Sequence, residues 1–143
     1  MSANPHTFLA EKNPHDRDND ITFDEGPHIY TIKGDSGFKS VTTWNHSHFE
    51  KFDADKIISN MMKSPIWPQN KYYGKTSDEI KALWDKNRDE AAAAGTKMHY
   101  DIECYYNGNP NENDSIEYQY FKNYLQYHNH LIPYRTDWMV WDK

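Results

Sequence analysis

The chain has 143 residues, a formal net charge of −6 and a single cysteine, a length that suits one domain. No apolar run is long enough to cross a bilayer. Cys104 has no partner for an internal disulfide, and the chain is expected to be intracellular. Leu, Ile, Val and Phe supply only 22 residues. The apolar area must therefore come from eleven Tyr, five Trp and six Phe, each able to bury roughly 150–250 Å². The acidity is uneven: residues 1–27 hold two basic and six acidic residues, residues 28–143 fourteen and sixteen. The near-neutral body argues against a large basic face for duplex DNA.

In chain order, residues 1–20 are polar and predict a poorly ordered acidic leader. Residues 21–143 then predict a single domain. Ile21-Thr22-Phe23 and His28-Ile29-Tyr30-Thr31-Ile32 alternate with period two around a turn at Asp24-Glu25-Gly26-Pro27, and predict paired strands. Lys39–Trp44 predicts a third extended segment after the Gly34–Gly37 turn, completing a small antiparallel meander. Asp53 predicts a helix N-cap, with Ser64-Pro65 as the stop near Lys63. Ile66–Lys75 predicts a loop. Thr76 and Glu79 form a capping box that opens a long helix through Gly95 to Tyr106, about 45 Å at 1.5 Å per residue. Its apolar stripe is Ile80, Trp84, Ala91, Ala94, Met98, Ile102 and Tyr105. Asp114 and Glu117 predict another start, with the stripe Ile116, Tyr120, Tyr124, Tyr127 and Leu131 as core. Tyr134–Asp142 alternates as a strand. The fold class expected is α+β: an N-terminal antiparallel meander, three main helices and a C-terminal strand.

The chemistry concentrates in Gly95-Thr96-Lys97-Met98-His99-Tyr100-Asp101-Ile102-Glu103. Gly95, His99 and Glu103 recur every four residues and share one helical face. A glycine there would admit another backbone closely. An imidazole and a carboxylate one turn apart can both reach a divalent cation, and that donor pair suits Mg²⁺ or Mn²⁺. His46-x-His48 reads as polar loop, and His128-Asn129-His130 sits where a helix C-terminus favours histidine. Trp67, Tyr72 and Tyr73, near Lys63, Lys71 and Lys75, could stack on the bases of a single strand.

The segment from Gly95 to Glu103, with Trp84 and Asn87-Arg88-Asp89-Glu90-Ala91-Ala92 before it, resembles the first motif of RecB-like PD-(D/E)XK nucleases, G-x-x-x-H-x-x-x-E on a helix. Pro133-Tyr134-Arg135-Thr136-Asp137-Trp138 is similar to the strand that opens the catalytic sheet of exonuclease-type members, many of them from phages and large DNA viruses. Asp137 stands where those have Glu. The resemblance implies metal binding by His99 and Glu103, with Glu103 and Asp137 as catalytic carboxylates and Gly95 as a structural residue. It further implies a Mg²⁺ or Mn²⁺ cofactor, and Lys71, Tyr72, Lys75, Arg88 and Lys97 are the residues expected to contact DNA. The C-terminal strand would then open a nuclease core sheet. The family's later Asp and (Asp/Glu)-x-Lys strands are missing: Glu79-Ile80-Lys81 is the only such triplet and precedes the motif. The chain therefore resembles the N-terminal portion of a DNA exonuclease, inactive alone, with a longer chain or second polypeptide supplying the remaining groups. The alternative is a non-catalytic nucleic-acid- or protein-binding module of nuclease descent, such as a viral structural or replication component.

Overall fold

In the computed structural model the described residues are 7–142. They form a mixed α+β chain of helices and one two-stranded antiparallel sheet, divided into two compact units. One unit comprises residues up to Lys39 together with Gly95 onward, and the other is Ser40–Ala94.

In the first unit, α1 spans Thr7–Lys12 and a 3-10 turn spans Asp16–Asp20. Within the described part of the expected disordered leader, these residues are structured. Leu9 is buried, and its amide donates to Asn107 Oδ1 at 2.9 Å. His15 caps the 3-10 turn, with the Arg17 amide donating to its Nδ1 at 3.1 Å. The partners that order this polar stretch lie about a hundred residues away, so its local composition could not reveal them.

Strand β1 (Ile21–Asp24) pairs with β2 (Ile29–Ile32) in the register Ile21↔Ile32 and Phe23↔Tyr30, and Ile21 and Ile32 are buried. Phe23 stacks on Tyr30 with ring centroids 4.5 Å apart, a cross-strand aromatic pair. The Asp24 carboxylate accepts the Gly26 amide in the connecting turn, a local bond that competes well with strand continuation.

In the second unit, α2 (Val41–His46) stands where the third strand was expected. Ser40 decides it: its Oγ accepts the Thr43 amide at 3.1 Å, and this cap outweighs the β preference of Val41, Thr42 and Thr43. Helix α3 (Ala54–Met62) carries the expected Asp53 cap, with the Lys56 amide 3.0 Å from Oδ1. Ile58 of this helix and Ile80 of the later helix Ser77–Tyr106 are the fully buried aliphatic residues of the unit. The loop expected over Ile66–Lys75 contains a 3-10 turn at Trp67–Gln69.

Helix α4 (Ser77–Tyr106) is continuous through Gly95 and belongs to both units. Its start is the expected capping box, with the Thr76 amide 2.7 Å from Glu79 Oε2 and the Glu79 amide 3.3 Å from Thr76 Oγ1. Residues 85–94 are exposed on every side, so Ala91 and Ala94 are not core. That stretch is held by alanine propensity and by the Arg88–Asp85 and Lys86–Glu90 pairs.

Returning to the first unit, α5 (Ile116–Tyr127) begins at Ser115, whose Oγ accepts the Tyr118 amide, rather than at Asp114. The expected core stripe of α5 has the right period and the wrong phase. Ile116, Tyr120, Tyr124, Tyr127 and Leu131 are exposed, while Tyr118 and Phe121 are buried. Phe121 meets Tyr105 and Tyr106 of α4 edge-on, at 5.4 and 5.7 Å. Tyrosines lie all round this helix, so the contact with α4 chooses the buried face.

Residues 134–142 form no strand. Their side chains and carbonyls are bound individually instead. Asn13 Nδ2 donates to the Tyr134 carbonyl at 2.7 Å, and Arg17 donates to the Trp141 carbonyl at 3.1 Å while lying over its ring. The Arg135 guanidinium and the Trp138 indole both donate to Asp18 at 2.9 Å. A regular strand would send residues 135 and 138 to opposite faces. Asp137 lies between them in the left-handed region, φ 46°, and turns the chain so that both reach one carboxylate.

Candidate metal centre

One ligand atom each of His99, Glu103 and Asp137 lie within 4.8 Å of one another. His99 and Glu103 come from successive turns of α4 and Asp137 from the 134–142 segment, all within the first unit. The cluster opens onto a groove of about 510 Å³ lined by His99, Ile102, Glu103, Tyr106, Leu131, Ile132, Pro133, Arg135, Thr136 and Asp137. His99 and Asp137 are exposed, and Glu103 is buried.

The electrostatics of Glu103 follow from that placement. Burial disfavours its anion, and the Asp137 carboxyl, hydrogen-bonded to it, adds a proton-sharing bond and a like charge; its pKa is pushed up to about 7. Two carboxylates facing each other in this way are stabilised by a proton or by a cation. An imidazole with two carboxylates is a donor set that fits Mn²⁺ or Mg²⁺ with further oxygen ligands.

Asn107 holds the cluster together. It is buried, accepts from the Leu9 amide, and donates to the Glu103 carbonyl at 2.9 Å and to Thr136 Oγ1 at 3.0 Å. It thereby ties the residue before Asp137 to the α4 turn that carries Glu103. Arg135 is largely buried against Asp18. Its guanidinium is the first cause holding the Asp18 carboxyl down at about 2, despite some opposing desolvation; bonds from Trp138 and the His15 amide act in the same direction.

The remaining site residues expected from the sequence separate. Gly95 lies on the face of His99 and Glu103, but a Cβ there would meet nothing within 4 Å, so no backbone packs against it. Lys97 is not free for phosphate: its Nζ lies 2.7 Å from Asp101 Oδ2. Asp101 is 1% exposed and is also held by Asn111 and Asn113. Burial pushes its carboxyl up, but the bonds from Lys97, Asn111 and Asn113 outweigh this and the net direction is down. Arg88 is paired with Asp85 and Asp89. Tyr72 uses its hydroxyl to accept from the Trp84 indole at 2.9 Å. Lys71 lies over the Tyr72 ring at 4.9 Å, and Lys75 is exposed; these three belong to the second unit.

Sequence reasoning missed Asp101 and Asn107. The i,i+4 spacing of Lys97 and Asp101 was available as a signal, while the partners of Asn107 were not. Met98 and Ile102, read as core, are half-buried, and the buried positions here are Asp101, Glu103 and Cys104 of α4 and Asn107 just past its end. Among the helices of the described residues, none is long and apolar enough to cross a membrane. Compared with known proteins, the chain matches no family model, no curated protein and no solved structure.

Proposed function

We propose that the first unit carries the divalent-cation site of a DNA phosphodiester hydrolase of exonuclease type. The observation that supports this most is the convergence of His99, Glu103 and Asp137 within 4.8 Å on an open groove. His99 and Glu103 would hold the ion from α4 and Asp137 from the facing segment. A bound Mg²⁺ or Mn²⁺ polarises a phosphoryl oxygen and lowers the pKa of its water. The chain's own part is positioning: α4 sets the imidazole and one carboxylate, and the Asn107 and Asp18 bonds set the second.

No lysine is among the residues lining the groove, and Arg135 is engaged by Asp18. We therefore assign water activation to a further stretch of polypeptide or a second chain, and expect this chain to bind the ion without cleaving DNA. The same lack favours a second reading, a binding module that keeps the scaffold without the reaction.

Titration with Mn²⁺ followed by calorimetry and electron paramagnetic resonance tests the site. One ion should bind per chain, at least tenfold more weakly in His99→Ala and in Glu103→Gln. No saturable Mn²⁺ binding, or binding indifferent to both substitutions, refutes the site. Mn²⁺-dependent cleavage of DNA by the chain alone, lost in His99→Ala, refutes the assignment of water activation elsewhere.

A further inference from the structure

We infer that the loop between α3 and α4, residues 63–75, is a binding surface for single-stranded DNA, with ring stacking on bases and lysine contacts to phosphates. The inference deepens the nuclease reading, on which its preference for DNA over RNA rests, but its geometry lies wholly within the Ser40–Ala94 unit.

The first observation is charge. In a chain of net charge −6, residues 56–77 contain Lys56, Lys63, Lys71 and Lys75 and no acidic residue. All four lysines are exposed, and none is in an ion pair among the described residues. The basic residues of the neighbouring α4 behave differently: Lys81, Lys86 and Arg88 each pair with a carboxylate. In a unit whose eight basic and eight acidic residues balance, the lysines of this segment thus lie apart from the ion pairs of α4.

The second observation is the rings. Trp67 and Tyr73 meet edge to face at 5.8 Å, and Tyr73 is 58% exposed. Aromatic faces beside lysines form the stacking platform that binds single strands with little regard to sequence. A duplex hides its base faces and would leave these rings unused.

The third is preorganisation. The loop is closed by its own hydrogen bonds: the Trp67 amide to the Ser64 carbonyl at 2.9 Å, the Tyr73 amide to the Asn70 carbonyl at 2.9 Å and the Lys75 amide to the Tyr72 carbonyl at 3.0 Å. The Asn70 side chain accepts the Tyr72 amide at 2.9 Å, and Gly74 supplies the left-handed turn at φ 85°. The Trp84 indole anchors the Tyr72 hydroxyl to α4. Tyr72 is thereby a support, while Tyr73 and Trp67 carry the contact. A loop already held in shape loses little conformational freedom on binding.

The test is fluorescence anisotropy with a labelled oligothymidylate in EDTA, so that the cation site takes no part. Binding should exceed that of the matching duplex. Tyr73→Ala and Trp67→Ala should each weaken it about fivefold or more, the loss of one stacked base. Three phosphate contacts, one for each lysine of the loop, give a slope of log K against log salt of about −2.1, of which Lys71→Ala/Lys75→Ala should remove about two thirds. Arg88→Ala and Lys97→Ala should change neither quantity. Tyr73→Ala alters an exposed ring, so it keeps the test valid if Trp67→Ala fails to fold by circular dichroism. No binding by the wild-type chain, equal affinity for duplex, or unchanged loop variants overturns the inference. Binding of oligouridylate as tight as that of oligothymidylate overturns the choice of DNA while retaining the surface. Loss of Mn²⁺ binding in His99→Ala with oligonucleotide affinity unchanged separates the two sites.

Discussion

Cation binding at His99, Glu103 and Asp137 should release the proton held between the two carboxyls, in an amount set by pH. The Glu103 carboxyl titrates at about 7 because it is buried and faces Asp137. From that value it is about 90% protonated at pH 6 and about 10% at pH 8. A metal ion requires the anion. Glu103 should therefore contribute about 0.9 released proton per ion at pH 6 and about 0.1 at pH 8, and the apparent affinity should rise about tenfold between them. Calorimetry of Mn²⁺ binding in buffers of differing ionisation enthalpy reads the proton count directly. The difference in proton count between the wild-type protein and Glu103→Gln isolates the carboxyl. An unchanged proton count across this range, or the same count in Glu103→Gln, refutes the carboxyl pairing. The linked effect on folding has a definite sign. A carboxyl raised from 4.5 to about 7 binds protons more tightly folded than unfolded, so its contribution to stability is complete below about 4.5 and disappears as pH rises through 7. Without divalent ions the melting temperature should fall across that window, and Mn²⁺ should restore it.

Asp18 should show the opposite dependence. Its carboxyl is held down at about 2 by Arg135, so its contribution is present above 3.8 and is lost as pH falls toward 2. Asp18→Asn should abolish that dependence and speed hydrogen exchange at residues 134–138; unchanged exchange there would count against the clamp. Gly95→Ala should stabilise the protein by about 0.5–1 kcal/mol without altering Mn²⁺ affinity, since a helix-interior Cβ there meets nothing. A loss of stability in thermal melts would mean that something packs on Gly95. Asn107→Ala should cost about 1–3 kcal/mol by leaving the buried Leu9 amide unpaired, and should weaken Mn²⁺ binding beyond what any stability loss explains. Full Mn²⁺ affinity in a folded Asn107→Ala protein, measured by calorimetry, would remove its positioning role.

The elements legible in the sequence were those decided by neighbours in the chain. Asp53 and the Thr76/Glu79 box state their helix starts within four residues, and the Ile21–Ile32 hairpin declares its period and turn together. The His99/Glu103 pair was legible for the same reason, as two positions one helical turn apart. What could not be read depends on distant partners. Ser40 looked like the head of a β-branched strand because nothing nearby showed that no strand would pair with it. Tyr118 and Phe121 are core because α4 lies against them, and Tyr120 and Tyr127 are equally aromatic and exposed. Residues 7–20 are polar by composition and ordered by Asn107, Tyr134, Arg135 and Trp138, which no local window contains.

These distant partners also decide how the candidate site is built. His99 and Glu103 are placed by successive turns of one continuous helix. Asp137 has no such support: it sits in irregular chain at positive φ, where a non-glycine residue persists only if its surroundings hold it. Those surroundings are specific. Arg135 and Trp138 converge on Asp18, the Tyr134 carbonyl is taken by Asn13, and Thr136 is tied through Asn107 to Glu103. The segment expected to be an acidic leader is therefore the frame that positions Asp137. Cutting before Asp20 should leave α4 helical and the His99/Glu103 pair intact, yet remove the tight Mn²⁺ site. A truncated protein that binds Mn²⁺ as the full chain does would show that the Asn13 and Asp18 bonds do not position Asp137 for the ion.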